Sequence, residues 1–208
     1  MDKTCKSRID TIRRLMAAKD AGVDLIVAAP VYDPDESTVE EFLERREKSE
    51  DILASLMNEE LPDVLPAAMV IYRDSLLTAE GLEKLCFGDK CFLLSMKDAE
   101  WDDTTEAVLR RLTGALGMKV ILANAGEAVL KHGEKMQQLG VHDLLDLDEI
   151  HHKKQIRAFL PFIASGLISA LGSDWESERP YRFLRKAIRR MDAAFDTVMC
   201  ASAKLLGK

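Results

Sequence analysis

The stretch with the clearest chemical content is residues 171–184, LGSDWESERPYRFL, where the apolar run GLISALG ends in the carboxylate of Asp174 and passes into a turn, a proline and a charged helical pattern. Strands of α/β proteins deliver side chains to an active-site face in this way. A single carboxylate neither holds a metal cluster nor runs acid/base chemistry alone, so Asp174 needs partners. The other predicted strand ends supply Asp33, Asp74, Asp98, Asn124, Asp146 and Asp148, and Glu176 lies two residues beyond Asp174. The segment DLDEIHH adds His151 and His152, ligand types that borderline and hard divalent cations accept. Adjacent helical residues point about 100° apart, however, so the two imidazoles do not readily meet one ion. A helix start carrying local caps and charges is the plainer reading.

Arg179 shares the loop with Asp174 and could meet an anion or pair with that acid. Arg182, Arg185, Arg189 and Arg190 recur at helical intervals opposite Phe183, Leu184, Ala187, Ile188 and Met191, which is the pattern of a solvated or ion-paired helix face. Cys86 and Cys91 flank FGDK ahead of a strand, with no second pair to complete a zinc site, so they read as packing residues. His132 and His142 stand alone. No serine elbow of the G-x-S-x-G type, phosphate-binding loop or dinucleotide fingerprint occurs.

The elements that position these residues follow from patterning. With 208 residues and 47% hydrophobic content the chain can bury one sizeable core, and a single domain over residues 1–208 is expected. The net charge of −7 argues against a nucleic-acid partner, because affinity for a phosphate backbone rests on clustered lysine and arginine. The longest apolar stretch, from Ala158, is too short to span a membrane and contains Pro161, Ser165 and Gly166, so it reads as a helix end plus a buried strand. No signal peptide is indicated, and reduced thiols in the cytoplasm are the expectation.

Helical spacing of Ile9, Ile12, Leu15 and Met16 predicts a first helix ended by Gly22. Apolar runs predict strands near residues 23–29, 64–72, 91–96, 118–124, 141–147 and 167–173, with helices between them, TAEGLEKL being one short example. Pro30 and Pro34 bracket the loop after the first strand. Ser37 and Glu40 form a capping-box pattern ahead of a long helix with Val39, Phe42, Leu43, Ile52, Leu53 and Leu56 on its apolar face. Strands alternating with helices favour a parallel sheet or a β/α barrel. A closed barrel would need a strand before the first helix, where MDKTCKSR offers almost nothing apolar to bury.

Taken in order, GVDLIVAAPVYDP, STVEEFLERREKSEDIL, LPAAMVIYRDSLL, CFLLSM, VILANAGE and LGSDWESERPYRFLRKAI resemble the PHP (polymerase and histidinol phosphatase) superfamily. Within it they look most like the manganese-dependent protein tyrosine phosphatases of bacterial capsule operons. The resemblance implies a distorted (β/α)7-like barrel with its first strand lost or vestigial. It also implies strand-end ligands that hold divalent metals and activate water against a phosphate monoester, in a capsule or exopolysaccharide setting. The ligand positions of the family are altered here. Its opening His-x-His strand aligns with MDKTCKSR, its Thr-Pro-His with Ala29, Pro30 and Val31, and its bridging glutamate with Met69. Its Ala-His-Pro-Glu-Arg aligns with Ala123, Asn124, Ala125, Gly126 and Glu127, and its Ser-Asp-x-His with Ser173, Asp174, Trp175 and Glu176. Asp174 alone matches a ligand, and valine or methionine cannot bind a hard cation.

The expectation is therefore a catalytically inactive, PHP-like domain with a vestigial site at Asp174, Glu176, Asn124, Val31 and Met69. No cofactor is expected, Arg179 is a candidate anion contact, and the partner is a phosphorylated protein or another phosphate-containing ligand. The alternative is a residual phosphatase using manganese or another divalent metal on Asp174, Glu176, Asn124 and Asp33 or an aspartate of residues 146–148. Self-association through an incomplete barrel edge is a third expectation.

Overall fold

A computed structural model describes residues 8–20, 22–146, 153–172, 198, 201–202 and 204–207. Helix α1 (Arg8–Asp20) leads into strand β1 (Leu25–Ala28), and β2 (Val31–Tyr32) follows after Pro30. Helix α2 (Val39–Ala54) precedes β3 (Asp63–Pro66) and β4 (Met69–Ile71). Next come β5 (Cys91–Ser95), α3 (Asp103–Arg110), β6 (Lys119–Ala123), α4 (Gly126–Gln138), β7 (His142–Asp146), α5 (Lys153–Ala164) and β8 (Ile168–Gly172).

β1 pairs with β3 and β2 with β4, both in parallel and in one continuous register, Leu25 opposite Asp63 and Val31 opposite Met69. The Ala67 amide donates to the Ala28 carbonyl at 2.9 Å and the Met69 amide to the Pro30 carbonyl at 3.0 Å, bridging the gap. Pro30 and Pro66 have no N–H to give, which interrupts the ladder without ending the strands. The rest of the order is β2-β4-β5-β6-β7-β8, every pair parallel. With β1–β2 and β3–β4 each taken as one interrupted strand, every strand neighbours the next in sequence, with none of the reversal that marks a doubly wound sheet. Right-handed crossovers between sequential parallel strands place all their helices on one face.

The core follows that rule. Ala68, Val70, Phe92, Leu94, Val120, Leu122 and Leu145 project from one face and pack with Phe42 of α2, Val108 of α3, Met136 of α4 and Phe159 of α5. The opposite face carries a smaller cluster of Ala67, Cys91, Leu93, Ile121 and Ala123, against which Val27, Met69 and Leu144 pack. Leu205 belongs to this second cluster and seals its amino-terminal edge, where Cys91 Sγ lies 3.1 Å from the Leu205 carbonyl oxygen. Both faces of β4, β5 and β6 are largely apolar, which is why these strands read as hydrophobic runs, whereas β7 buries Asp143 and Asp146.

Several expectations need correction. The capping box of α2 is Thr38 with Glu41, not Ser37 with Glu40: the Thr38 hydroxyl accepts the Glu41 amide, and the Glu41 carboxylate accepts the Thr38 amide. Residues 31–32 are strand rather than loop. TAEGLEKL forms only a 3-10 turn, Leu82–Leu85, and a second such turn covers Asp74–Leu77. α3 passes into a wider π-helical segment, Arg111–Ala115. On α1, Leu15 and Ala18 are buried, whereas Ile9 and Met16 are exposed.

Candidate functional site

The carboxyl-terminal edge of the sheet collects the ends of β2, β4, β5, β6 and β7. Val31 pairs across to Met69, Met69 to Leu93, and Leu93 to Ile121, so these four side chains form one row on the face opposite the helices. Val31 is 57% exposed at the rim, and Met69 is half-buried. Two of the predicted site positions are therefore brought side by side, and neither offers an electron pair to a hard cation.

One register step further along, Ile71, Ser95 and Ala123 form the next row. The buried Ser95 hydroxyl donates to Asn124 Oδ1 at 3.0 Å. Asn124 follows the last residue of β6 with φ 54°, in the left-handed region that asparagine tolerates better than most residues. That turn directs its amide back over the end of β5. The Ser95 contact engages one lone pair of the amide oxygen, the side-chain atom of Asn124 able to ligate a cation.

The acids of the β2 and β4 ends are tied to a cation of the chain itself. Arg73 Nη2 donates to Asp33 Oδ2 at 2.6 Å, and Arg73 Nε lies 3.4 Å from Asp35 Oδ2. The Ser75 hydroxyl donates to Asp35 Oδ1 at 2.8 Å, and the Tyr72 hydroxyl to Asp74 Oδ1 at 3.0 Å. Asp146 is buried at the end of β7, opposite Gly172 of β8. Sequence reasoning did not single out Tyr72, Arg73 or Ser95. The tripeptide Tyr72-Arg73-Asp74 directly after an apolar strand was the available signal.

Asp148, His151, His152, Ser173, Asp174, Trp175, Glu176, Arg179 and the arginines of residues 182–190 lie outside the described residues. The isolated histidines have structural settings. His132 stacks on Trp101 with ring centroids 5.4 Å apart, and His142 begins β7 at the opposite edge of the sheet from the site. Cys86 and Cys91 are free thiols, and burial pushes the Cys86 thiol up to about 11.

Among the described residues no group of three or more histidine, cysteine, aspartate or glutamate side chains is placed to hold a metal ion. The described donors by themselves do not fit a metal cluster: Val31 and Met69 are apolar, the Asn124 amide oxygen accepts from a hydroxyl, and Asp33 and Asp35 face a guanidinium. Among the described residues no helix is long and apolar enough to cross a membrane.

No protein-family model and no curated protein matches the chain. Solved structures do. A chain from the crystal structures of YwqE from Bacillus subtilis and CpsB from Streptococcus pneumoniae, metal-dependent tyrosine phosphatases, superimposes with a TM-score of 0.71 at 16% identity. The match covers 99% of this chain and 90% of that one. The fold is shared with those phosphatases. At this identity the likeness concerns architecture, and the expected resemblance to that branch is met at the level of fold.

Proposed function

We propose that the chain is a PHP-like β/α barrel without metal-dependent hydrolysis, serving in the cytoplasm as a binding or regulatory module for a phosphorylated polypeptide or another phosphate-bearing ligand. The row Val31–Met69 carries the reading. A cluster of divalent ions needs converging imidazoles and carboxylates, and apolar side chains at adjacent rim positions supply neither charge nor lone pairs. The barrel itself is supported by the stagger of the ladder. The row of paired residues that starts at Val31, near the carboxyl end of β2, reaches His142, the first residue of β7. A sheet that rolls up requires such a shear.

A phosphate-bearing ligand needs a cation. Arg73 is neutralised by Asp33 and Asp35, so Arg179 is the candidate contact. Protein purified without chelator is expected to carry far less than one equivalent of manganese, iron or zinc. With added manganese it should hydrolyse p-nitrophenyl phosphate no faster than buffer. Stoichiometric manganese with turnover abolished by Asp174→Ala would overturn the proposal and establish the phosphatase instead, with Asp174, Glu176, Asn124 and Asp33 as its oxygen donors. The scarcity of apolar residues in MDKTCKSR extends the proposal to self-association through a sheet edge, which a strictly monomeric sedimentation profile at high concentration would rule out.

A further inference from the structure

A crevice of about 540 Å³ opens outside the sheet, between the β2–α2 loop, the first turn of α2 and the turn that follows β4. Five carboxylates line it, Asp35, Glu36, Glu40, Glu41 and Glu80, and no lysine or arginine is among its lining residues. Three of the five are engaged: Asp35 by Arg73 and Ser75, Glu40 by Lys84 at 2.6 Å, and Glu41 by the Thr38 amide. The Glu36 and Glu80 carboxylates make no hydrogen bond or ion pair among the described residues, and both residues are exposed.

The second observation is Tyr32. Its side chain lines the same crevice while the residue is only 3% exposed, and its ring packs on Phe42 with centroids 5.2 Å apart. The Tyr32 hydroxyl makes no hydrogen bond among the described residues. Burial raises its proton affinity, and the Glu40 and Asp33 charges add to the effect, so the group stays a neutral hydroxyl with lone pairs to offer. Pro34, Val39 and Ala79 add apolar lining to the same crevice.

We infer that the crevice binds an alkyl cation, a methylene chain ending in ammonium or guanidinium, whose N–H groups meet the Tyr32 oxygen, Glu36 and Glu80 while its chain lies on Pro34, Val39 and Ala79. A bare metal ion fits less well, because among the described residues no three acids converge on a point. Lysine and arginine side chains have this amphipathic form, as do free polyamines. The inference stands apart from the strand-end site and from the reading of it given above.

Calorimetric titration of the full chain tests it, with spermidine and an acetylated, amidated Gly-Arg-Gly-Lys-Gly peptide as probes and magnesium as competitor. At least one organic probe should bind, and the tighter one identifies the source as free amine or polypeptide. Tyr32→Phe keeps the ring on Phe42 and should weaken binding about three- to ten-fold, the loss of one buried hydrogen bond. Glu36→Gln with Glu80→Gln should weaken it at least ten-fold. Glu59→Gln with Glu60→Gln makes the same charge change away from the crevice and should leave affinity within two-fold. Absence of binding by both organic probes, equal losses in the two glutamate pairs, unchanged affinity in Tyr32→Phe, or displacement by equimolar magnesium would each overturn the assignment.

Discussion

Replacing Arg111 by methionine keeps a straight aliphatic stem and removes a two-pronged clamp. Its Nη1 donates to the Leu76 carbonyl and its Nη2 to the Ala79 carbonyl, both at 2.6 Å, so one guanidinium from the π-helical segment ties down the turn after β4. That turn carries Asp74 and Ser75 and forms one wall of the acidic crevice. Hydrogen bonds from a charged donor contribute about 1.5–3 kcal/mol each, and one left unmade strands a carbonyl. Arg111 is half-buried, and both bonds share one side chain, so the two do not add in full. The expected loss is about 2 kcal/mol, or roughly 4–8 °C in Tm for a chain of this size. Urea denaturation followed by far-ultraviolet dichroism should show a lower midpoint with an unchanged slope. Arg111→Lys should recover at most half of the loss, because a point-like ammonium cannot present two donors to carbonyls three residues apart in a fixed fork. A destabilisation below about 0.5 kcal/mol, or a lysine variant equal to the native chain, would refute the clamp.

Three further outcomes follow from buried groups. A methyl group on Gly172 would collide with Leu144 Cδ2, so Gly172→Ala should cost about 1–3 kcal/mol in chemical denaturation, and adding Leu144→Ala should relieve part of that strain in a double-mutant cycle. The Cys86 thiol, raised to about 11 by burial, should be alkylated at pH 8 at least about a hundred-fold more slowly than a free cysteine, read by peptide mass mapping. Because the folded state holds this proton more tightly than the unfolded chain, the linked stability is present below the ordinary thiol value and is lost as pH rises toward about 11. Burial holds the His142 imidazole below its ordinary 6.5, with the Lys119 charge adding to the depression. Below that value the unfolded chain binds a proton the folded state resists, so stability falls as pH falls, and His142→Gln should flatten the slope of unfolding free energy there.

The alternation of strand and helix was legible because most strands are short apolar runs and the helices between them are striped, and those periods survive tertiary detail. The details that escaped depend on distant residues. Two capping frames overlap in Ser37-Thr38-Val39-Glu40-Glu41, and sequence alone does not separate them. The burial of Val39 and Phe42 fixes the helix phase and selects Thr38. Pro30 looked like a strand end, yet proline's fixed φ suits an extended chain, and the cost is one missing donor. Arg73 meets Asp33 across forty residues of chain, and Ser95 meets Asn124 across twenty-nine. Neither pair has a local signature. Of the candidate site, the run of apolar strand residues holding Val31 and Met69 was readable as strand, whereas the pairings that neutralise the neighbouring acids join residues far apart in the chain.

The positions proposed as a vestigial site make sense as a set. Carboxylates and imidazoles gathered for a metal repel or desolvate one another when the metal is absent, and each unpaired buried charge costs several kcal/mol. A chain that lost one ligand and kept the rest would bear that cost with no ion to offset it. Here Val31 and Met69 are neutral and share a row, Asn124 is neutral and bonded to Ser95, and Asp33 and Asp35 have Arg73 between them. Each described position is satisfied without a cation. Val31 also leaves more than half of its surface in water at the rim, which burial alone would not favour. Reintroducing one ligand, as in Val31→His, should therefore fail to recruit manganese, since the neighbouring acids stay bound to Arg73.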